Sequence, residues 1–283
     1  MVIERKTRIK LFATDLDRTL VDDSGRISVF TEKTIRKCMD EGFLFTFATG
    51  RQASAMWRLR DIIPVNAPAI CSNGSEIVDV FTGKVYHRET VSSVFVLEFV
   101  EFCLAHGIDF DCRADKFECA NIECVYLPVM LRRQKEALAA GREPQGIFYI
   151  RNANDLPPSG EYVKLLAWTP NNGILFQVRE FCDRFPEVTT TSSVKGLLEI
   201  APAGNSKGSG VMHLCEVLGL SKDEVCVFGD YINDLPMFRA AGMAVAVGNA
   251  DDEVKKKATF VSSSNNEDGV AKAVIRICRG EFG

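Results

Sequence analysis

No run of apolar residues in this 283-residue chain approaches the ~18–20 needed to span a bilayer. Nor does the chain start with the apolar core and small-residue cleavage site of a secretory leader, so a cytoplasmic location is the expectation. Cys-x-x-Cys spacing is absent although there are ten cysteines. Most of these sit inside apolar runs, as Cys226 does in Val225-Cys226-Val227-Phe228, which is how free, buried thiols in a reducing compartment read. Cys119 and Cys124 flank a short segment, but no histidine lies near them to complete a zinc set. Charge of one sign is also missing. A net charge of −4 gives no global footprint for nucleic acid or an anionic membrane, so neither is expected as a partner. Internal repeats and low-complexity segments are absent, and the sequence leaves the oligomeric state open. What remains is ordinary for a globular protein: 46% hydrophobic and 25% charged residues, in a chain long enough to bury a core without staples.

Short β-rich runs alternate with longer amphipathic segments. Ile9 to Thr14 reads as a strand ending at Asp15, and Phe43 to Ala48 as one ending at Thr49-Gly50-Arg51. Ala69 to Cys71 ends at Ser72-Asn73-Gly74, Val225 to Phe228 at Gly229-Asp230, and Ala244 to Val247 at Gly248-Asn249. Near-continuous apolar strands are typical of parallel sheets buried on both faces. Helical patterns lie between them, over Thr31 to Glu41 with Gly42 as a C-cap, and over Ser206 to Leu218 before Gly219. This alternation predicts a doubly wound, mainly parallel α/β sheet. Ligands bind such sheets outside the carboxyl ends of the strands, which gathers Asp15, Thr49, Asn73 and Asp230 at one rim.

The middle of the chain is less regular. It carries turns at Pro157-Pro158-Ser159-Gly160 and Asn171-Asn172-Gly173, and helical patterns over Val91 to His106 and Leu175 to Phe185. Val163 to Trp168 and Leu197 to Ile200 read as strands. The expected organisation is a core built from residues 1–85 and 197–283, with an inserted α/β cap domain over 86–196. A charged run in that cap (Asp109, Asp111, Arg113, Asp115, Lys116) reads first as a solvated loop and secondly as a specificity element.

Four polar elements carry chemistry. Asp15 and Asp17 are two apart after a strand, so one carboxylate can attack while the other exchanges a proton with the leaving group. Their repulsion calls for a hard cation with oxygen ligands, and magnesium is the usual one beside phosphate. Gly229-Asp230-Tyr231-Ile232-Asn233-Asp234 adds acid at another strand end. There Asp230 can bind the same metal, Asn233 can donate to a phosphate oxygen, and Asp234 can orient its neighbours. Thr49-Gly50-Arg51 offers a hydroxyl and amides to an anion, and Lys207 can neutralise it. Taken singly, each has a bland counterpart: exposed turn carboxylates, an Asx-rich helix start, a strand-to-helix turn, a solvated lysine.

Together they occur in the order Asp-x-Asp, Thr-Gly-Arg, Lys, Gly-Asp-x-x-Asn-Asp, alongside Ser72-Asn73-Gly74-Ser75, Leu198-Glu199-Ile200-Ala201-Pro202 and Ala246-Val247-Gly248-Asn249-Ala250. This joint pattern resembles the haloacid dehalogenase superfamily, and within it the Cof-type phosphatases with a large α/β (type IIB-like) cap. The resemblance implies a magnesium-dependent phosphatase acting on small phosphomonoesters, such as sugar phosphates, through an aspartyl-phosphate on Asp15. It implies that Asp17 protonates the leaving oxygen and then activates water. It implies that Asp15, Asp230 and the backbone carbonyl of Asp17 hold Mg2+. Leu16 (through its amide), Thr49, Gly50, Lys207 and Asn233 would hold the phosphoryl group, with Asp234 in support and Arg51 and Asn73 at the substrate rim. Two other readings stay open: a phosphomutase or phosphotransferase of the same fold, and a catalytically weak phosphate-ligand sensor. One departure is notable, because Arg18 stands where the family usually has glycine: it either points outward harmlessly, or strains the loop or places a cation near the phosphate, slowing turnover or altering substrate choice.

Overall fold

The computed structural model describes residues 7–56, 59, 62–157, 160–192 and 195–281. Pro158 and Ser159 of the expected turn lie outside the described residues. The chain forms two compact units, Met1–Arg88 with Asn205–Gly283, and Glu89–Gly204. The first unit opens with β1 (Leu11–Thr14), α1 (Val29–Asp40), β2 (Leu44–Phe47), β3 (Ala69–Cys71), β4 (Glu76–Val78) and β5 (Val85–Arg88). The second contains α2 (Ser93–Ala105), β6 (Asp109–Ala114), β7 (Phe117–Asn121), α3 (Leu127–Ala139), β8 (Gly146–Ile150), β9 (Tyr162–Trp168), α4 (Asn172–Cys182), β10 (Val188–Thr191) and β11 (Leu197–Pro202). The chain then completes the first unit with α5 (Lys207–Leu218), β12 (Val225–Gly229), α6 (Leu235–Ala240), β13 (Met243–Ala246), α7 (Asp252–Lys255), β14 (Phe260–Val261) and α8 (Gly269–Cys278).

The first unit is the doubly wound sheet its apolar strands predict. Five parallel strands lie in the order β14-β13-β12-β1-β2. Every residue of β1 and β12 is buried, because both faces of these central strands are covered. A parallel bridge between Ala48 and Ile70 brings β3 alongside β2, and β3, β4 and β5 form a small antiparallel sheet. Since the strands run parallel, the residues following β1, β2 and β12 emerge at one edge. Helix α1 starts on the Ser28 side chain, which accepts from the Thr31 amide, a cap that fixes where the helix begins. The ten cysteines are all free and buried, as their apolar settings suggested.

The second unit holds a six-stranded sheet in the order β10-β11-β9-β6-β7-β8. Helices α2 and α4 pack on one face through Phe95, Phe99, Val178 and Phe181 against Phe110, Cys112 and Leu165. Two sequence expectations change here. The strand beginning at Leu197 was placed with the core, but it pairs with β9 and β10, so the chain re-enters the first unit only at Asn205. The charged run from Asp109 is not a solvated loop either. Residues 109–114 form strand β6, and Asp115 and Lys116 make the turn into β7. Strand alternation sends Phe110 and Cys112 to the helix-covered face and Asp111 and Arg113 to the other. There Arg113 donates to Asp111 at 2.6 Å, and faces Glu118 across the strand pair. Asp111 and Arg113 are thus paired with each other on the sheet face, a pairing that composition alone does not reveal.

Candidate active site

Strand β1 ends in a sharp turn that presents its next residue at the rim. The Asp15 amide donates to the Phe228 carbonyl at 2.9 Å, which extends the ladder with β12 by one bond. After Asp15 the chain coils tightly through 16–20, and Arg18 takes a left-handed conformation at φ 62°. This is the position where glycine costs nothing and a side chain costs about 1 kcal/mol. The loop is held in place by Asn249, whose side-chain amide donates to the Arg18 carbonyl at 2.7 Å. Asn265 supports it from behind by donating to the Val21 carbonyl at 3.1 Å.

Lys207 sits on the first turn of α5, started by the Ser206 cap, and only 1% of its side chain is exposed. Its ammonium donates to Asp15 Oδ1 at 2.6 Å and to Asp234 Oδ1 at 2.7 Å. The other oxygen of Asp234 accepts from the amides of Asp230 at 2.9 Å and Tyr231 at 3.1 Å. Asp234 therefore braces the loop after β12 and anchors Lys207. Gly229 is required by the same arrangement, since a Cβ there would lie 2.6 Å from the Asp234 carboxylate. Asp230 accepts from the Thr19 hydroxyl at 3.1 Å, and the Arg18 guanidinium lies 3.6 Å from its second oxygen.

These contacts bring Asp15, Asp230 and Asp234 together, with one carboxylate oxygen of each within 4.8 Å of the others. Burial pushes the Asp15 carboxyl up to about 7, against the opposing pull of Lys207. Burial likewise pushes Asp230 up to about 6, with Asp234 adding repulsion. Lys207 stays firmly charged, because its two carboxylate partners outweigh the cost of burying it. Hard oxygen donors with an excess of buried negative charge fit a divalent cation. Asp234 accepts hydrogen bonds at both oxygens, from Lys207 and from two amides, whereas Asp15 and Asp230 each accept one at a single oxygen, so these two are the carboxylates best able to hold one.

The remaining sequence-selected residues divide. Thr49 is buried, and its hydroxyl accepts from the Arg51 amide at 3.1 Å. Asn73, itself left-handed at φ 56°, donates its amide to the Thr49 carbonyl. Its side chain crosses Gly50 so closely that a Cβ on Gly50 would lie 3.1 Å from Oδ1. Thr49, Gly50 and Asn73 therefore form one tight corner. Leu16 packs its side chain in the core, and Asn233 is exposed on the turn 232–234. Asp17 is not in the acidic cluster with its carboxylate. That group is half-exposed and paired at both oxygens with Arg51, at 2.6 and 3.0 Å. Sequence reasoning assigned no role to Thr19, Asn249 or Asn265. Thr19 and Asn249 stood inside quoted motifs, whereas the backbone-directed amide of Asn265 left no pattern to find.

The haloacid dehalogenase-like hydrolase family profile matches residues 12–274. The chain is 29% identical to a 5-amino-6-(5-phospho-D-ribitylamino)uracil phosphatase of Bacillus subtilis, over 97% of this chain and 100% of that one. It is 26% identical to a pyridoxal phosphate phosphatase of Escherichia coli, over 94% and 97%. Among solved structures it is similar to a haloacid dehalogenase-like hydrolase from Bacteroides thetaiotaomicron, with a TM-score of 0.80, 27% identity and 95% and 99% coverage. The match of nearly the whole chain, on the fold that places the acidic rim, means that this protein belongs to the haloacid dehalogenase-like hydrolase family.

Proposed function

We propose that the protein is a Mg2+-dependent phosphatase that hydrolyses small phosphomonoesters through a phosphorylated Asp15. The single observation that carries this reading is the Lys207 ammonium bridging Asp15 and Asp234 beside Asp230 at the strand rim. Asp15 supplies an oxygen nucleophile whose orientation is fixed by Lys207 and by the β12 ladder. Its attack on phosphorus forms the Asp–O–P bond as the ester P–O bond breaks. Once its pairing with Arg51 opens, Asp17 takes up a proton from solvent and passes it to the departing alkoxide. In the second half, Asp17 takes a proton from water as that water attacks phosphorus, and the Asp15–phosphorus bond breaks to release inorganic phosphate. Lys207, Thr49 and the amides around Gly50 and Leu16 meet the three non-bridging oxygens, where charge is spread during transfer. Asp15 and Asp230, with the Asp17 carbonyl, would hold a divalent cation, which would supply the electrostatic neutralisation that lets an anionic carboxylate approach an anionic phosphate.

The substrate class rests on the relatives. A ribitylaminouracil phosphate and pyridoxal phosphate are both small metabolites carrying a single phosphate ester, and a molecule of that kind is the proposed substrate. The test is phosphate release from p-nitrophenyl phosphate and a metabolite panel. Turnover should need Mg2+ and vanish in Asp15→Asn and Asp17→Asn. Binding of phosphorylated ligands without any turnover by the native chain would sink the proposal, and recovery of the phosphoryl group on an added sugar rather than in water would redirect it to a transferase.

A further inference from the structure

Two of the three histidines in the chain meet in the first unit. His87 lies on β5, opposite Ile77 of β4, and His213 on α5 nearly two turns beyond Lys207. Their rings stack with centroids 3.8 Å apart and planes tilted by 31°. A ring nitrogen of each lies within 4.8 Å of one on the other. His213 Nδ1 is shielded from solvent and has no hydrogen-bond partner. Leaving such a nitrogen unmet is unfavourable, and the packing of two imidazoles does not require it. A pair serving only as core would turn that edge toward a donor.

We propose that His87 and His213 form a binding site for one borderline-soft divalent cation of the Zn2+ or Cu2+ class, independent of the carboxylate centre. Imidazole nitrogen suits these ions and not Mg2+. Zinc-to-nitrogen bonds of about 2.0–2.1 Å place two such donors on one ion about 3–4 Å apart; the nitrogens already lie within 4.8 Å of each other, and the two rings swing out of their stack to aim both lone pairs at the ion. The buried Nδ1 of His213 gains the Lewis-acid partner it lacks, and water completes the coordination. Competing thiols are out of reach of this chemistry, because all ten cysteines are buried and burial holds the thiols of Cys71, Cys103 and Cys226 well up in their protonated form. The ion would tie β5 to α5, the helix that begins with Lys207.

The experiment is Cu2+ titration of the Mg2+-saturated full chain, followed by electron paramagnetic resonance, beside Zn2+ calorimetry under the same conditions. One equivalent should bind with a two-nitrogen hyperfine pattern that excess Mg2+ does not remove. His87→Gln and His213→Gln should weaken binding about tenfold or more, while Asp15→Asn should keep it. In the native chain, Zn2+ should shift the imidazole proton signals of His87 and His213 and leave those of His106, whose Nδ1 is 2.8 Å from the Phe102 carbonyl. This measurement stands even where a histidine variant misfolds. Binding that is lost in Asp15→Asn, survives both histidine changes, or leaves the His87 and His213 signals unmoved would overturn the proposal.

Discussion

Replacing Lys207 by methionine tests the electrostatic core of the site. Methionine is unbranched and one atom shorter than this almost fully buried lysine, so most of the shape is kept while the charge and its hydrogen-bond donors are removed. Asp15 and Asp234 then face each other without their shared cation. Breaking a buried ion pair from one side costs about 3–5 kcal/mol, a large part of the roughly 5–15 kcal/mol that holds a typical domain together. The cost must depend on pH. In the native protein Asp15 carries a proton up to about 7, although its unfolded value is 3.8. Lys207 is among the causes that lower it, so the variant retains that proton to higher pH. Between about 7 and that higher value, the folded variant binds a proton that its unfolded chain does not. Its stability therefore falls by up to about 1.4 kcal/mol per pH unit, while the parent's contribution from Asp15 has levelled off. Lys207 itself, raised above its ordinary value, contributes evenly below pH 10. Urea denaturation in EDTA at pH 6, 7, 8 and 9 reads this directly. The gap between parent and variant should widen from pH 7 upward, and Asp234→Asn in the variant background should recover part of it. A gap below about 1 kcal/mol, or one unchanged from pH 6 to 9, would refute the reasoning.

The cation's affinity should fall on acidification, because it competes with protons on Asp15 and Asp230, held at about 7 and 6. Isothermal titration of Mg2+ from pH 8 to 5 should show weakening of up to about tenfold per unit for each proton displaced, with proton release visible as a buffer-dependent heat. The metal-free protein should meanwhile lose stability as pH rises from 4 to 7, since in that window these folded carboxyls hold protons that the unfolded chain has released. Gly229→Ala should cost about 1–3 kcal/mol in thermal or urea denaturation and lower turnover, because the added methyl displaces a carboxylate already fixed by two amides and Lys207. Arg18→Gly should relieve left-handed strain and remove a half-exposed cation 3.6 Å from Asp230, raising Mg2+ affinity about fivefold in activation titrations with under about 1 kcal/mol change in stability.

The central sheet was legible because burial on both faces writes itself as unbroken apolar runs, and the rim was legible because those runs stop at Asp15, Thr49 and Asp230. Lys207 was found from its place in a motif, although nothing local distinguishes a buried lysine from a solvated one. What the sequence hid depends on partners far along the chain. Leu197 to Pro202 looks like a core strand until its neighbours β9 and β10 are known. Asp111 and Arg113 look solvated until their own pairing and Glu118 across the strand pair are in place. Asp17 and Arg51 read as separate parts of two motifs, yet they are bonded to each other in the fold.

Strand β1 has β2 on one side, close along the chain, and β12 on the other, more than two hundred residues later. During synthesis, Asp15 therefore emerges long before Lys207, Asp230 and Asp234 exist. The interrupting unit Glu89–Gly204 is continuous in sequence and able to collapse while the early strands still await their partner. For that interval one flank of β1 is an unpaired apolar edge, the kind of surface that chaperones shield and that seeds aggregation. Assembly of the acidic rim and closure of this edge arrive in the same event, so a ribosome-bound fragment ending before β12 has neither a finished sheet nor the cluster of Asp15, Lys207, Asp230 and Asp234.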